Sequence, residues 1–297
     1  MRSGLLSLDA FLKRRAADRR LARLTHDLAL PIGQGLEFGP ANNPTPLPEG
    51  IEVTFIDHHV EAGDGLPDAV SIHHAWTGSG SLSAVLGREE YDFAIAAQVA
   101  QYVPNLLGWL RGIHSVLRPG GVLNLSLPDK RFMFDAARTV STLAELVEAD
   151  VLGYERPSPR QIFAHTAGIR AVSPAQIWAG EDPLQMPHMA GDEPLPHAYD
   201  QVVEAQATQA YVSCHCWVLT PATFLDLIEE ATRLGLFPFV LNQIAQPNPG
   251  EFEFFVSMRR GSQEEAGALR MEQENATAHL RGALRRQGQI ARVLAQR

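Results

Sequence analysis

The sequence predicts a doubly wound α/β fold. A mostly parallel seven-stranded sheet would carry helices on both faces, end in an antiparallel hairpin and hold a long inserted lid. Three observations predict it. Short apolar runs at 34–38, 51–56, 69–74, 91–97 and 121–127 read as strands, with helical material between the later ones. The first two runs end near an acid each, Glu37 before the Gly39 turn and Asp57, where a parallel sheet opens into its ligand crevice. The last two β-rich runs, 236–244 and 252–258, are joined by the turn-forming AQPNPGE, which can connect only antiparallel neighbours.

Taken in order, residues 5–28 carry Leu5, Leu8, Phe11, Leu12, Leu21, Leu24 and Leu28 near helical spacing, which predicts an amphipathic helix on the domain edge. The clearest helix between strands, 104–118, opens at Pro104 and closes at Pro119-Gly120-Gly121. Thr220-Pro221 is an N-cap and first-turn pair for a helix whose stripe of Phe224, Leu225, Leu227, Ile228 and Ala231 runs to Leu234-Gly235. Ahead of it lies a segment of about 139–213, with a helical stretch at 140–152 and then a proline-rich region. Excursions of this length are usually binding loops or lids. Trp178, Met186, His188, Met189, His197 and Tyr199 are the expected lining of an acceptor pocket beneath it. From residue 262 the chain turns polar, and Leu280, Leu284, Ile290 and Leu294 mark a thin helical stripe. That stripe suits pairing with a second subunit, a swing over the active site or a solvated tail. The expected division is an N-terminal helical extension (1–30), a catalytic domain (31–260) holding the lid, and a C-terminal tail (261–297).

Composition bounds the function. The chain has 297 residues, 45% apolar and 20% charged, with a formal charge of -9. An acidic surface gives no general attraction to nucleic acid or anionic membranes. Lys13 and Lys130 are the only lysines, so arginine carries nearly all the positive charge. Cys214 and Cys216 stand too close for ordinary disulfide geometry, and no other cysteine supplies a framework. No run approaches the roughly 18 apolar residues of a membrane span. The basic cluster Lys13-Arg14-Arg15 follows a short apolar stretch, the reverse of a signal peptide's order. A cytoplasmic address is the expectation.

The phrases LEFGPANNP, IDHH, YDFAIAAQVAQYVPN, LRPGGVLNLSLPDKRFMFD and HCWVLTPATF resemble class I S-adenosylmethionine-dependent methyltransferases. Within that superfamily they are similar to a bacterial subgroup found beside glycosyltransferases and tailoring enzymes. The resemblance spans roughly residues 33–259. It implies S-adenosylmethionine as cofactor. Glu37 and Gly39 stand in the first motif, ExGxGxG, whose later glycines are replaced by Ala41 and Asn43, with Pro40 in the turn. Asp57 matches the acid that holds the ribose hydroxyls, and Trp76 to Ser79 lie where adenine rests. Ala97 and Gln98 complete the implied cofactor-binding set. Where relatives read HxxEH, this chain has Gln98, Gln101 and Tyr102. These are neutral groups, and Gln98 can bond a carboxylate or hydroxyl but cannot accept a proton.

Methyl transfer needs in-line positioning and, for a hydroxyl acceptor, a base. Asp129 and His215 are the candidates. His215 matches the histidine of HCWVLTP, and an imidazole suits neutral pH. Its bland alternative is a buried histidine bonded to a loop carbonyl. For Asp129 the alternative is a salt bridge to Lys130 or Arg131, or a helix cap. The CHC triplet at 214–216 lacks metal-ligand spacing, so no metal is expected. The expected reaction is methylation of an oxygen or nitrogen of a small molecule such as a sugar or natural-product intermediate, by a protein that could be a homodimer. The alternative is a non-methylating member of the fold acting as a binding or regulatory partner. A nicotinamide-dependent oxidoreductase is disfavoured by the terminal hairpin and the missing GxGxxG.

Overall fold

The computed structural model describes residues 6–59, 67–87, 90–262 and 265–295, with side chains of the last helix described to residue 289. Leu5 and the side chains of Ile290 and Leu294 lie outside the described residues. In chain order the elements are α1 (Leu8–Ala17), α2 (Arg19–Leu24), β1 (Gly33–Phe38), β2 (Ile51–Asp57), β3 (His74–Ala75), α3 (Leu82–Leu86), β4 (Tyr91–Ala97), α4 (Leu106–Val116) and β5 (Leu117–Pro128). They continue with α5 (Leu143–Val151), α6 (Pro159–Gly168), α7 (Pro174–Trp178), α8 (Pro194–Thr208), α9 (Pro221–Arg233), β6 (Phe239–Ala245), β7 (Glu253–Arg260) and α10 (Ala266–Ala295).

The sheet order is β3-β2-β1-β4-β5-β7-β6. The five strands from β3 to β5 are parallel, and β7 runs antiparallel to both β5 and β6. This is the mostly parallel sheet with a terminal hairpin that the sequence predicts. The third strand is much shorter than expected, two residues in place of 69–74.

Strand alternation divides the core between the two faces. Leu36, Phe38, Ile56, Ala94 and Ala96 pack on the α4 side against Leu106, Trp109, Leu110 and Ile113. On the other face Phe93, Ile95, Val122 and Phe255 meet Phe11, Leu21 and Leu24 of the N-terminal helices. The expected edge helix at 5–28 is therefore two helices at the heart of one sheet face. The break falls at Asp18, extended at φ -110° and ψ 104°, whose side chain accepts from Leu21 N–H to cap α2. Parallel crossovers usually carry a helix, yet residues 39–50 between β1 and β2 have none. The N-terminal helices cover this face, with α2 against β5 and β7.

The insertion holds more helix than expected. Ser158 and Gln161 form a capping box at α6, Ser173 and Gln176 another at α7, and Thr142 and Glu145 a third at α5. The tail docks back on the domain. Gln273 Nε2 donates to Phe237 O at 2.9 Å and Phe239 O at 3.0 Å. Arg281 pairs with Asp226 and Glu229 of α9, both at 2.5 Å. Thr277 and Leu280 are buried beneath.

Candidate functional site

At the carboxyl ends of β1, β2 and β4 the chain encloses a cleft of about 210 Å³. Its walls include the aromatic rings of Phe38, Trp76, Trp109, Tyr102 and Tyr211, and its polar groups include Asp57, His58, Gln98 and Ser213.

The turn after β1 forms the floor. Gly39 takes φ +58°, its N–H donates to Ile56 O at 2.8 Å, and a Cβ there would meet Val99 Cγ2 at 2.6 Å. Only glycine fits both constraints. Ala41, at the motif's second glycine position, keeps a left-handed backbone at φ +44°, a conformation uncommon outside glycine.

Asp57 closes β2 and lines the cleft. Its Oδ1 accepts from His58 N–H and from His58 Nδ1–H, both at 2.7 Å. The His58 ring in turn stacks on Tyr211, with centroids 4.7 Å apart and planes 26° apart. Among the described residues Asp57 Oδ2 has no hydrogen-bond donor. Trp76 also borders the cleft but is 6% exposed. Its Nε1–H donates to Ser79 O at 2.7 Å, and its ring lies over Gly112, where a Cβ would come within 2.4 Å of it. Packing under the loop fixes most of its surface.

Glu37 departs from the expected placement. With Leu36 and Phe38 turned toward α4, alternation sends Glu37 to the opposite face, where it is 2% exposed and outside the cleft lining. Its Oε1 accepts from Thr45 N–H and Thr45 Oγ1–H, both at 2.8 Å, while Oε2 has no partner. Burial pushes its pKa up to about 7, against the Thr45 hydrogen bonds and the Arg20 charge. Its visible role is to hold the loop at 40–45. Pro40 is buried and Ala97 packs toward the N-terminal helices, so neither lines the cleft. Of the six expected cofactor-binding residues, Gly39, Asp57 and Gln98 do.

Gln98 sits at φ +60° with its N–H shared between Ser126 O and Ser126 Oγ, each at 3.1 Å. Its carboxamide is gripped at both ends. Nε2 donates to Glu253 Oε1 at 3.0 Å, and Oε1 accepts from Gln101 Nε2 at 3.0 Å. Gln101 is buried, and its carbonyl receives Cys216 N–H at 2.7 Å, bracing the HCW segment. Tyr102 lines the cleft.

His215 is 2% exposed and stands one side chain behind the wall, its ring edge-on to Tyr102 at 4.7 Å and 82°. Its Nδ1–H donates to Asp135 Oδ2 at 2.5 Å, since a carboxylate only accepts. Arg138 closes the cluster, Nη1 donating to Asp135 Oδ1 at 2.6 Å and Nη2 to His215 O at 3.0 Å. Burial alone would raise the Asp135 pKa, but the His215 hydrogen bond and charge, with Arg138, outweigh it and hold it below the usual carboxylate range. Burial, then the Arg138 charge, lowers the His165 pKa to about 4. The neutral His165 ring accepts His215 N–H at its Nδ1, 3.3 Å away.

Asp129 is fully buried and away from the cleft. It accepts from Arg131 Nε at 2.9 Å, Nη2 at 2.6 Å and backbone N–H at 3.1 Å, the ion pair and cap that stood as its alternative. The expected lid residues Trp178, Met186, His188, Met189, His197 and Tyr199 do not line the cleft either. Trp178 stacks instead on Phe132 at 4.5 Å, and Tyr199 is 63% exposed. The insertion reaches the cleft through its last residues, Tyr211 and Ser213. Sequence reasoning missed these two, although they lie within three residues of the CHC triplet. It also missed Asp135, inside the same PDKRFMFD phrase as Asp129, and Glu253. Cys214 and Cys216 are free and buried. Among the described residues no three His, Cys, Asp or Glu side chains stand together as a metal site, and no helix is long and apolar enough to cross a membrane.

No protein-family model matches the chain, and no curated protein matches it. Solved structures resemble it distantly. A protein from Rhodobacter sphaeroides described as a zinc-dependent alcohol dehydrogenase is 12% identical, over 82% of this chain and 90% of that one, with a TM-score of 0.48. An S-adenosylmethionine-dependent methyltransferase from Mesorhizobium loti is 14% identical, over 82% and 96%, with a TM-score of 0.42. The CurJ carbon methyltransferase is 15% identical over 86% of this chain, which spans 56% of that one, with a TM-score of 0.40. Overlays this loose carry no argument, and the fold assignment rests on the sheet. The order β3-β2-β1-β4-β5-β7-β6 with its antiparallel hairpin, and the cleft at the carboxyl ends of its first strands, give this chain the class I methyltransferase, Rossmann-like fold.

Proposed function

We propose that the chain is an S-adenosylmethionine-dependent methyltransferase acting on an oxygen or nitrogen of a small molecule. The observation that carries this is Asp57, which lines an aromatic-bordered cleft at the end of β2 and whose Oδ2, among the described residues, has no hydrogen-bond donor. An acid so placed suits a ribose diol, and flat aromatic walls suit a purine. The residues present fit the nucleoside part of the cofactor.

Asp57 would hold the ribose hydroxyls. The Gly39 turn lets backbone approach the aminoacyl part, and Gln98 retains one Nε2–H to offer it. The bound cofactor supplies an electrophilic methyl group on its sulfonium. Everything else falls to the chain's own side chains. Tyr102, Tyr211 and Ser213 border the cleft where the insertion meets it, and they would seat the acceptor and exclude water. His215, its Nδ1–H fixed on Asp135, has Nε2 as its basic nitrogen when neutral, and because its ring stands behind Tyr102 and outside the cleft lining it would act on an acceptor proton through Tyr102. In this reading the part of the insertion that acts as a lid is its end at 211–213.

The test pairs calorimetric titration of S-adenosylhomocysteine with a labelled-methyl transfer assay over sugars and natural-product alcohols and amines. Binding with labelled product supports the proposal, and absence of binding contradicts it. Tight binding without turnover on any acceptor supports the non-methylating alternative, which draws on Gln98 and Gln101 being committed to protein partners.

A further inference from the structure

We infer that Glu253, at the start of β7, is a positioning residue that fixes Gln98 in the cofactor cleft, and that Arg20 of the N-terminal helices holds it there. The inference rests on the proposed methyltransferase reading. Glu253 is 9% exposed and lies outside the cleft lining, so it acts on the cleft through others. Its Oε1 accepts from Gln98 Nε2 at 3.0 Å and from Ser126 Oγ at 2.9 Å. Ser126 also receives the backbone N–H of Gln98, so one carboxylate secures both the side chain and, through Ser126, the left-handed backbone of that residue. Arg20 closes the other side, Nε donating to Oε2 at 2.8 Å and Nη2 to Oε1 at 3.2 Å.

Two consequences follow from the chemistry. A carboxylate cannot donate, so it compels Gln98 to present its amide nitrogen toward β7 and its carbonyl oxygen toward Gln101. The orientation of a carboxamide that could otherwise flip is thereby set, leaving one N–H and one lone pair for a ligand. The Arg20 guanidinium also pairs with Glu253 and offsets its negative charge behind Gln98. Segments 233 and 155 residues apart in sequence meet here, which gives the N-terminal helices a role in ligand binding besides covering the sheet.

The test is a double-mutant cycle on the full chain, read by calorimetric titration with S-adenosylhomocysteine. Gln98→Ala and Glu253→Ala are each expected to weaken binding about tenfold, the loss of the ligand-facing group or of the acceptor that orients it. The double variant is expected to bind no more weakly than Gln98→Ala, because Glu253 acts through Gln98. Arg20→Ala is expected to weaken binding in the same direction. Multiplicative losses in the double variant, or wild-type affinity in Glu253→Ala or Gln98→Ala, would overturn the positioning role, and wild-type affinity in Arg20→Ala would overturn that of the helix. Asp57→Ala separates this from the parent reading. Retained binding there sinks the cofactor site itself, whereas its loss alongside a multiplicative cycle sinks only the role of Glu253.

Discussion

At the residue scale, two acids that look equivalent in sequence have opposite fates. Asp57 reaches the cleft and Glu37 turns away from it, because a strand's side chains alternate and its neighbours Leu36 and Phe38 claim the α4 face. Asp57→Ala is expected to weaken S-adenosylhomocysteine binding about 100-fold, two charge-assisted hydrogen bonds being lost. His215→Ala is expected to spare that affinity and slow turnover by about 10² or more, with Asp135→Asn following it. Single-turnover kinetics beside calorimetry separate the two roles, and equal losses of binding would contradict the division. Glu37 predicts a pH effect. Its folded pKa of about 7 stands above the ordinary 4.5. Between those values the folded chain keeps a proton that the unfolded chain releases, so stability falls as pH rises, with a full penalty of about 3 kcal/mol above pH 7. Glu37→Gln can still accept from Thr45 and removes the charge. In urea denaturation it should match wild type near pH 4 and exceed it near pH 8, and equal stability at both would contradict the assignment.

At the scale of elements, the strands other than β3 and the flanking helices at 106–116 and 221–233 were legible because apolar period and capping residues agree there. The insertion was misread for a physical reason. Its prolines look like loop signals, yet Pro159, Pro174 and Pro194 open α6, α7 and α8, where the missing N–H costs nothing. The capping pairs Ser158–Gln161 and Ser173–Gln176 were the signal that would have found two of those helices. The N-terminal helices were recognised as helical, but their burial was not. No local pattern announces that the β1–β2 crossover lacks a helix and needs cover from elsewhere. Phe11, fully buried on that face, gives the test. Phe11→Ala should cost about 3–5 kcal/mol in chemical denaturation, and a loss under 1 kcal/mol would return these helices to the domain edge.

At the scale of the molecule, the cleft is assembled from stretches far apart in sequence: the turns after β1 and β2, Trp76 and Thr77 beyond β3, the stretch from Gln98 to Pro104 with Trp109, and the end of the insertion at Tyr211 and Ser213. The turns after β1, β2 and β4 follow from where parallel strands end, which is why Gly39, Asp57 and Gln98 could be named in advance. Tyr211, Ser213, Asp135 and Glu253 join through tertiary contacts that no spacing in the chain encodes. The tail likewise shows its destination only in the fold, where Gln273 bonds the two carbonyls leading into β6. Cofactor binding by this chain depends on the cleft at Asp57 being a nucleoside site. The most direct measurement is a crystal structure grown with S-adenosylhomocysteine. The account predicts density in the cleft with the ribose hydroxyls on Asp57 and the aminoacyl end toward Gly39 and Gln98. Density elsewhere on the molecule, or an empty cleft at saturating ligand, would contradict it.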